Sequence, residues 1–123
     1  MAEHPNVTVA REMAEAFERG DMETAAGYLA DDVIWHEIGR AEPRRGKAEL
    51  AASMGEVDYE ITGRTHAIVG DDEHVVVLAN ATGKRGGRTL EYRVAEIYHV
   101  KDGKITERWA FSDDTKAIVD FFA

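Results

Sequence analysis

The chain has 123 residues, of which 44% are hydrophobic and 32% charged, with no cysteine and a formal net charge of −9. That length suits one domain around one core, here residues 1–123, and the mix of residues excludes a disordered chain. The absence of thiols excludes a disulfide scaffold, a cysteine nucleophile and a thiolate zinc site.

Most of the negative charge falls in residues 1–60. No basic stripe offsets it, which argues against nucleic acid as a partner. No apolar run approaches the roughly 20 residues that span a bilayer. The segment MAEHPNVTV lacks the apolar stretch of a secretion signal. A soluble, cytoplasmic protein without membrane partners is expected.

In chain order, Ala10, Met13, Ala14 and Phe17 recur at helical spacing and predict a first helix ending at Gly20. Asp21 reads as the N-cap of a second helix, whose apolar positions Met22, Ala25, Ala26 and Leu29 run on to Asp31-Asp32. Val33 to Ile38 is rich in β-formers and predicts a strand. Residues 39–46, GRAEPRRG, read as a loop, and Lys47 to Met54 as a third helix. Four strands follow, over Val57–Val69, His74–Thr82, Arg88–Val100 and Lys104–Phe111, separated by glycine-containing turns. Asp113 or Asp114 caps a last short helix ending in Phe121-Phe122. Helices followed by an antiparallel meander predict an α+β domain, with a curved, cone-shaped antiparallel sheet wrapped around the N-terminal helices. Such a cone leaves a natural hollow for a small molecule.

Alternation along strands sorts the polar groups by face. Val33, Trp35 and Glu37 share one face of the first strand. Tyr92, Val94, Glu96, Tyr98 and Val100 share one face of the fourth. Strict alternation then lines up Ile105, Glu107, Trp109 and Phe111 on the last. A glutamate among such neighbours is costly unless paired, hydrogen-bonded or protonated, which is the setting of general acid–base chemistry. The competing reading is an ion pair with Arg93 or Arg108. The five histidines are scattered and form no metal-ligand motif, so no metal is expected. Nothing resembles a phosphate loop, a dinucleotide fingerprint or a nucleophile elbow, so no cofactor is expected either.

The segments Gly20-Asp21-Met22-Glu23, Ala30-Asp31-Asp32 and Glu42-Pro43-Arg44-Arg45-Gly46 resemble bacterial ketosteroid isomerases, of the nuclear transport factor 2-like superfamily that also holds SnoaL-like polyketide cyclases. The resemblance implies a cystatin-like α+β roll. It places Glu37 at the position of the catalytic base and Glu96, in Val94-Ala95-Glu96-Ile97-Tyr98, where a protonated acid donates to an oxyanion. Met13 stands where the isomerases carry a phenolic tyrosine, Trp109 and Phe111 fall on pocket-wall positions, and Asp114 falls near an acid/base aspartate of the cyclases.

Taken together, these readings predict a pocket for a small hydrophobic molecule lined by Met13, Phe17, Trp35, Glu37, Tyr59, Glu96, Trp109 and Phe111. Glu37 and Glu96 sharing a dry pocket would resist ionising together. A homodimer is expected through a face carrying Ile61, Val76 and Ile97. Three functions stay open: proton abstraction alpha to a carbonyl by Glu37 and Glu96, a non-catalytic binding or dimerisation domain, and a cyclase using Asp114.

Overall fold

His4 opens the first helix, α1 (Pro5–Glu18), by accepting the Asn6 N–H at its Nδ1, 3.1 Å away, while Pro5 supplies the fixed φ of a first helical residue. The computed structural model describes residues 2–55 and 57–123. Val7, Ala10, Met13 and Ala16 form the buried stripe of α1, with Ala14 and Phe17 half-buried beside it. Gly20, at φ +79°, turns the chain. The Asp21 carboxylate then caps α2 (Met22–Ala26), accepting from the N–H and hydroxyl of Thr24.

The second helix is shorter than its apolar spacing predicts. Leu29 leaves it to open β1 (Leu29–Trp35), pairing in parallel with Ile105. Helical spacing and strand burial both fit Leu29, and the Ile105 N–H that donates to Tyr28 O at 2.8 Å decides for the strand. Within the predicted loop, β2 (Arg44–Arg45) pairs back on Ile34 and Trp35, and α3 (Lys47–Met54) follows.

The meander β3 (Glu60–Gly70), β4 (His74–Arg85), β5 (Arg88–Lys101) and β6 (Lys104–Ser112) forms the body of the sheet, ordered β2-β1-β6-β5-β4-β3. The meander is antiparallel, as expected, and β1 joins β6 in parallel across a connection that contains all the intervening elements. Asp102 and Gly103, both at positive φ, make the tight β5–β6 turn. Asp114 caps α4 (Thr115–Phe122) by accepting the Ala117 N–H at 3.0 Å.

The core lies between α1 and the concave face of the sheet. Val33, Val75 and Ile105 are fully buried there, joined by Ala10, Met13, Leu29, Leu50, Val77, Tyr98 and Val100. On β6 the alternation breaks. Ile105 pairs with Val100, but Glu107 pairs with His99, so Thr106 is an extra residue in a β-bulge. Beyond it every side chain changes face. Glu107, Trp109 and Phe111 therefore point outward, away from Ile105, and Arg108 and Ala110 turn to the concave side. The expected placement of Trp109 and Phe111 with Trp35 is corrected on this ground: the two tryptophans lie on opposite faces. Ile61 is corrected likewise. It pairs with the buried Gly83 on the concave side, whereas Val76 and Ile97 pair on the outer face.

Candidate functional site

The concave face beyond the core carries the titratable groups. Trp35 follows Val33 at strand spacing, and its register partner Arg108 sets its guanidinium carbon 4.5 Å from the indole centroid. Arg108 reaches Glu96 on the next strand with Nε at 3.0 Å and Nη2 at 2.9 Å, and donates Nη1 to the His36 carbonyl at 3.0 Å. The Tyr98 hydroxyl donates to the same Glu96 oxygen, Oε2, at 2.7 Å. Burial pushes the Tyr98 phenol well above its ordinary range, the neighbouring Glu96 adds to the shift, and Arg108 opposes it.

Glu37 lies past the end of β1, where Arg44 of β2 donates Nε to its Oε1 at 2.6 Å. That bond is the main reason the Arg44 guanidinium is held more strongly protonated than usual. Two phenols complete the face. Tyr59 precedes β3 and Tyr92 sits on β5, and desolvation raises both above the ordinary tyrosine value. Glu37 adds to the shift at Tyr59; at Tyr92, Arg108 opposes it and Glu96 adds to it. Neither hydroxyl bonds to a described residue, and neither is sealed from solvent. From α4, Phe122 meets Tyr59 and Tyr92 edge-on at 4.7 and 6.4 Å.

The expected site residues are thus divided. Trp35, Glu37, Tyr59 and Glu96 share the concave side. Met13 belongs to the core, Phe17 is half-buried on α1, and the exposed Asp114 is engaged in its cap. Trp109 stacks on His36 at 5.3 Å and meets His99 edge-on, on the outer face, where Glu107 bonds His36 at 2.7 Å. Phe111 is 58% exposed there. The pocket of eight residues is therefore not assembled as expected. Among the described residues, one open depression of about 540 Å³ lies beside the β4–β5 turn, with Tyr59 and Arg85 in its wall, and another of about 290 Å³ lies on the outer face around Leu78, Ala95 and Phe111.

The two carboxylates do not contend for one dry space, since each has its own arginine. Sequence reasoning overlooked Arg44 and Tyr98 as their partners. The shared face of Tyr92, Glu96 and Tyr98 was the available signal for the second of these. Among the described residues no three histidine, aspartate or glutamate side chains come together to hold a metal ion, and no helix is long and apolar enough to cross a membrane.

The fold is shared with several solved structures. A protein of unknown function with a cystatin-like fold from Xanthomonas campestris is 26% identical, with a TM-score of 0.86 over 96% of this chain and 98% of that one. An NTF2-like protein of unknown function from Burkholderia pseudomallei K96243 is 21% identical, with a TM-score of 0.86 over 98% and 99%. A putative polyketide cyclase from Xanthomonas campestris pv. campestris is 19% identical, with a TM-score of 0.81 over 96% and 94%. The likeness to the last two shows the fold alone. No curated protein matches the chain. The model of the SnoaL-like domain matches residues 10–108, most of the length and all of β1 to β5, and the chain belongs to that family.

Proposed function

We propose that this SnoaL-like protein is a cofactor-free enzyme that moves a proton alpha to a carbonyl group in a small hydrophobic molecule, working in the cytoplasm as a homodimer. The observation that carries this reading is the placement of Glu37 and Glu96 on one concave face, on either side of the Trp35–Arg108 stack, with the unbonded phenols of Tyr59 and Tyr92 near them. A carboxylate can take the proton, and a phenol or guanidinium can stabilise the enolate oxygen that develops. Family membership supports acid–base chemistry of this kind, and a putative polyketide cyclase shares the fold. Asp114 is engaged as a helix cap, which favours the concave carboxylates over it.

The dimer reading rests on the outer face. Val69, Val76, Ile97 and Trp109 form one row of register partners across four strands, and Ala67, Leu78, Ala95 and Phe111 form a second. Such a continuous apolar band on an open sheet suits a two-fold contact.

The test is deuterium exchange at the alpha carbon of 2-tetralone in heavy water, followed by NMR. Exchange faster than buffer, lost in the Glu37→Gln/Glu96→Gln double variant, supports the enzyme reading. Binding of 2-tetralone without exchange favours the second reading, a non-catalytic binding domain, which the neutralisation of each carboxylate by an arginine also fits.

A further inference from the structure

Glu96 has two oxygens in unlike settings. Oε2 accepts two hydrogen bonds, from Tyr98 Oη at 2.7 Å and Arg108 Nε at 3.0 Å, and lies 2.9 Å from Arg108 Nη2 in the same ion pair. Oε1 accepts none from any described residue. It is not sealed away, because no buried side-chain oxygen among the described residues lacks a partner. Glu96 therefore presents one open oxygen on the concave face while the other is held by Tyr98 and Arg108. A phenol and a guanidinium at Oε2 compensate the charge of a carboxylate, and the open Oε1 is left to accept a proton.

We infer that Glu96 is the proton-abstracting base of this site, acting through Oε1, and that Arg108 and Tyr98 are positioning residues that hold the carboxylate by Oε2. The inference rests on the acid–base reading above and exchanges the roles that the isomerase resemblance implies for Glu37 and Glu96.

Three comparisons with Glu37 favour this assignment. The Glu96 side chain is 19% exposed and that of Glu37 36%, so Glu96 is the less hydrated base. Glu96 stands within β5 beside the buried Tyr98, whereas Glu37 follows the end of β1. Among the described residues, Glu96 is held by two residues from two strands, whereas Glu37 has a single arginine from the two-residue β2. A base fixed in direction pays less to reach a near-attack geometry. The titratable groups that act around Glu96 are Arg108 from β6 and Tyr92 and Tyr98 from β5. Trp35 from β1 covers the far side of Arg108.

The test needs no natural substrate. 5-Nitrobenzisoxazole is a flat aromatic probe that opens when a base removes its C3 proton. The proton passes to Glu96 Oε1, the C–H electron pair becomes the third bond of a nitrile, and the N–O bond breaks to release 2-cyano-4-nitrophenolate. No other reactant is consumed, and the coloured product is read directly.

The expected result is a wild-type rate that rises with pH along an acidic limb. Glu96→Gln should lower it about 100-fold, within the usual range for a general base, and erase that limb. The limb should survive in Glu37→Gln. Tyr98→Phe removes one donor to Oε2 without changing the shape of the core. It should move the limb to higher pH, because a carboxylate that loses a donor is protonated more readily. A merely structural role for Tyr98 would instead scale the rate equally at every pH.

If the limb disappears in Glu37→Gln and persists in Glu96→Gln, the assignment is overturned while the acid–base reading stands. A wild-type rate no greater than that of free acetate at the same concentration would overturn both. Circular dichroism melts on each variant separate loss of the base from loss of the fold, and Tyr98→Phe, which keeps both carboxylates, decides the matter if Glu96→Gln does not fold.

Discussion

Arg108 rests 4.5 Å from the ring centroid of Trp35, its register partner on β1, and from there spans to Glu96 on β5. One side chain thus joins three strands, and it does so only because the bulge at Thr106 turns residue 108 inward. Its aromatic contact and its carboxylate contact reinforce each other. The indole covers one face of the guanidinium while the N–H edge is bound to oxygen, so the charge loses little on being mostly buried.

Removing that side chain therefore leaves Glu96 with Tyr98 as its one remaining donor among the described residues. Arg108→Met should destabilise the protein by about 3 kcal/mol, toward the lower end of what breaking a buried pair costs, because the pair retains some solvent contact. Arg108→Met combined with Glu96→Gln should cost less than the sum of the two single changes, since each partner's penalty comes largely from stranding the other. Urea unfolding of the four proteins measures this. Strictly additive losses would show that the two side chains do not act as a pair.

Much of this arrangement is legible in the sequence. Apolar spacing locates α1, glycine-containing turns divide β3 to β6, and alternation along β5 places Tyr92, Glu96 and Tyr98 on one face. The rest is set by pairing between strands distant in sequence. Trp109 and Phe111 reverse faces because of one inserted residue, and Thr106 bears no local mark of that bulge. Leu29 satisfies helical spacing equally well, and only its pairing with Ile105 makes it a strand residue. Arg44 falls in a segment that reads as loop, so its bond to Glu37 depends on a two-residue strand too short to register as a pattern.

The docking of α4 depends on a glycine. A Cβ on Gly83 would come within 2.7 Å of Phe122 Cζ and 3.2 Å of Phe121 Cε1, so the rings of the last turn lie directly on the bare β4 backbone. Gly83→Ala should cost about 1–3 kcal/mol, the usual range for overpacking. It should also loosen Phe122 from Tyr59 and Tyr92. Hydrogen exchange at Ile118 and Phe121 should accelerate in the variant, and unchanged protection would mean that α4 adjusts without detaching.

The dimer proposed for the outer face makes a separate prediction. Phe111 and Leu78 are both exposed and sit in one row of the apolar band. Sedimentation velocity at micromolar protein should give twice the chain mass for the wild type. Phe111→Glu should give the monomer, because a charge within such a contact would lose its water without gaining a partner. A monomeric wild type would remove the dimer from the proposal.

At low pH the exposed turn aspartates govern the response. The Asp71 carboxylate accepts the N–H groups of His74 and Glu73, each at 2.9 Å, and these bonds hold it below the ordinary aspartate value. A depressed folded-state pKa contributes stability that is present above the unfolded value, about 3.9, and is lost as pH falls through the folded one. The melting temperature of Asp71→Ala should therefore lie below that of the wild type at pH 6. The two should converge as the pH falls well below about 3.9. A gap that persists at low pH would point to the loss of contacts that do not depend on charge.

Tyr98 gives the opposite sign at the alkaline end. Its phenol is buried, and burial, with Glu96 beside it, lifts its pKa well above the ordinary value. The folded state therefore keeps a proton that the unfolded state releases near pH 10, the free tyrosine value. Stability from this source is complete below about pH 10 and falls as the pH rises from there toward the folded-state value. Tyr59 and Tyr92 shift the same way, mainly through partial burial, so the wild type should lose stability steeply above about pH 10. Tyr98→Phe should be less stable than the wild type at pH 7, by about 1 kcal/mol for the lost hydrogen bond to Glu96. Its stability should fall less steeply above pH 10, because the phenylalanine has no proton to lose. Guanidinium unfolding of both proteins between pH 7 and 11 should show the two curves drawing together. Parallel curves across that range would mean that Tyr98 ionises as freely in the folded protein as in the unfolded chain, and that its bond to Glu96 does not hold the hydroxyl proton in place.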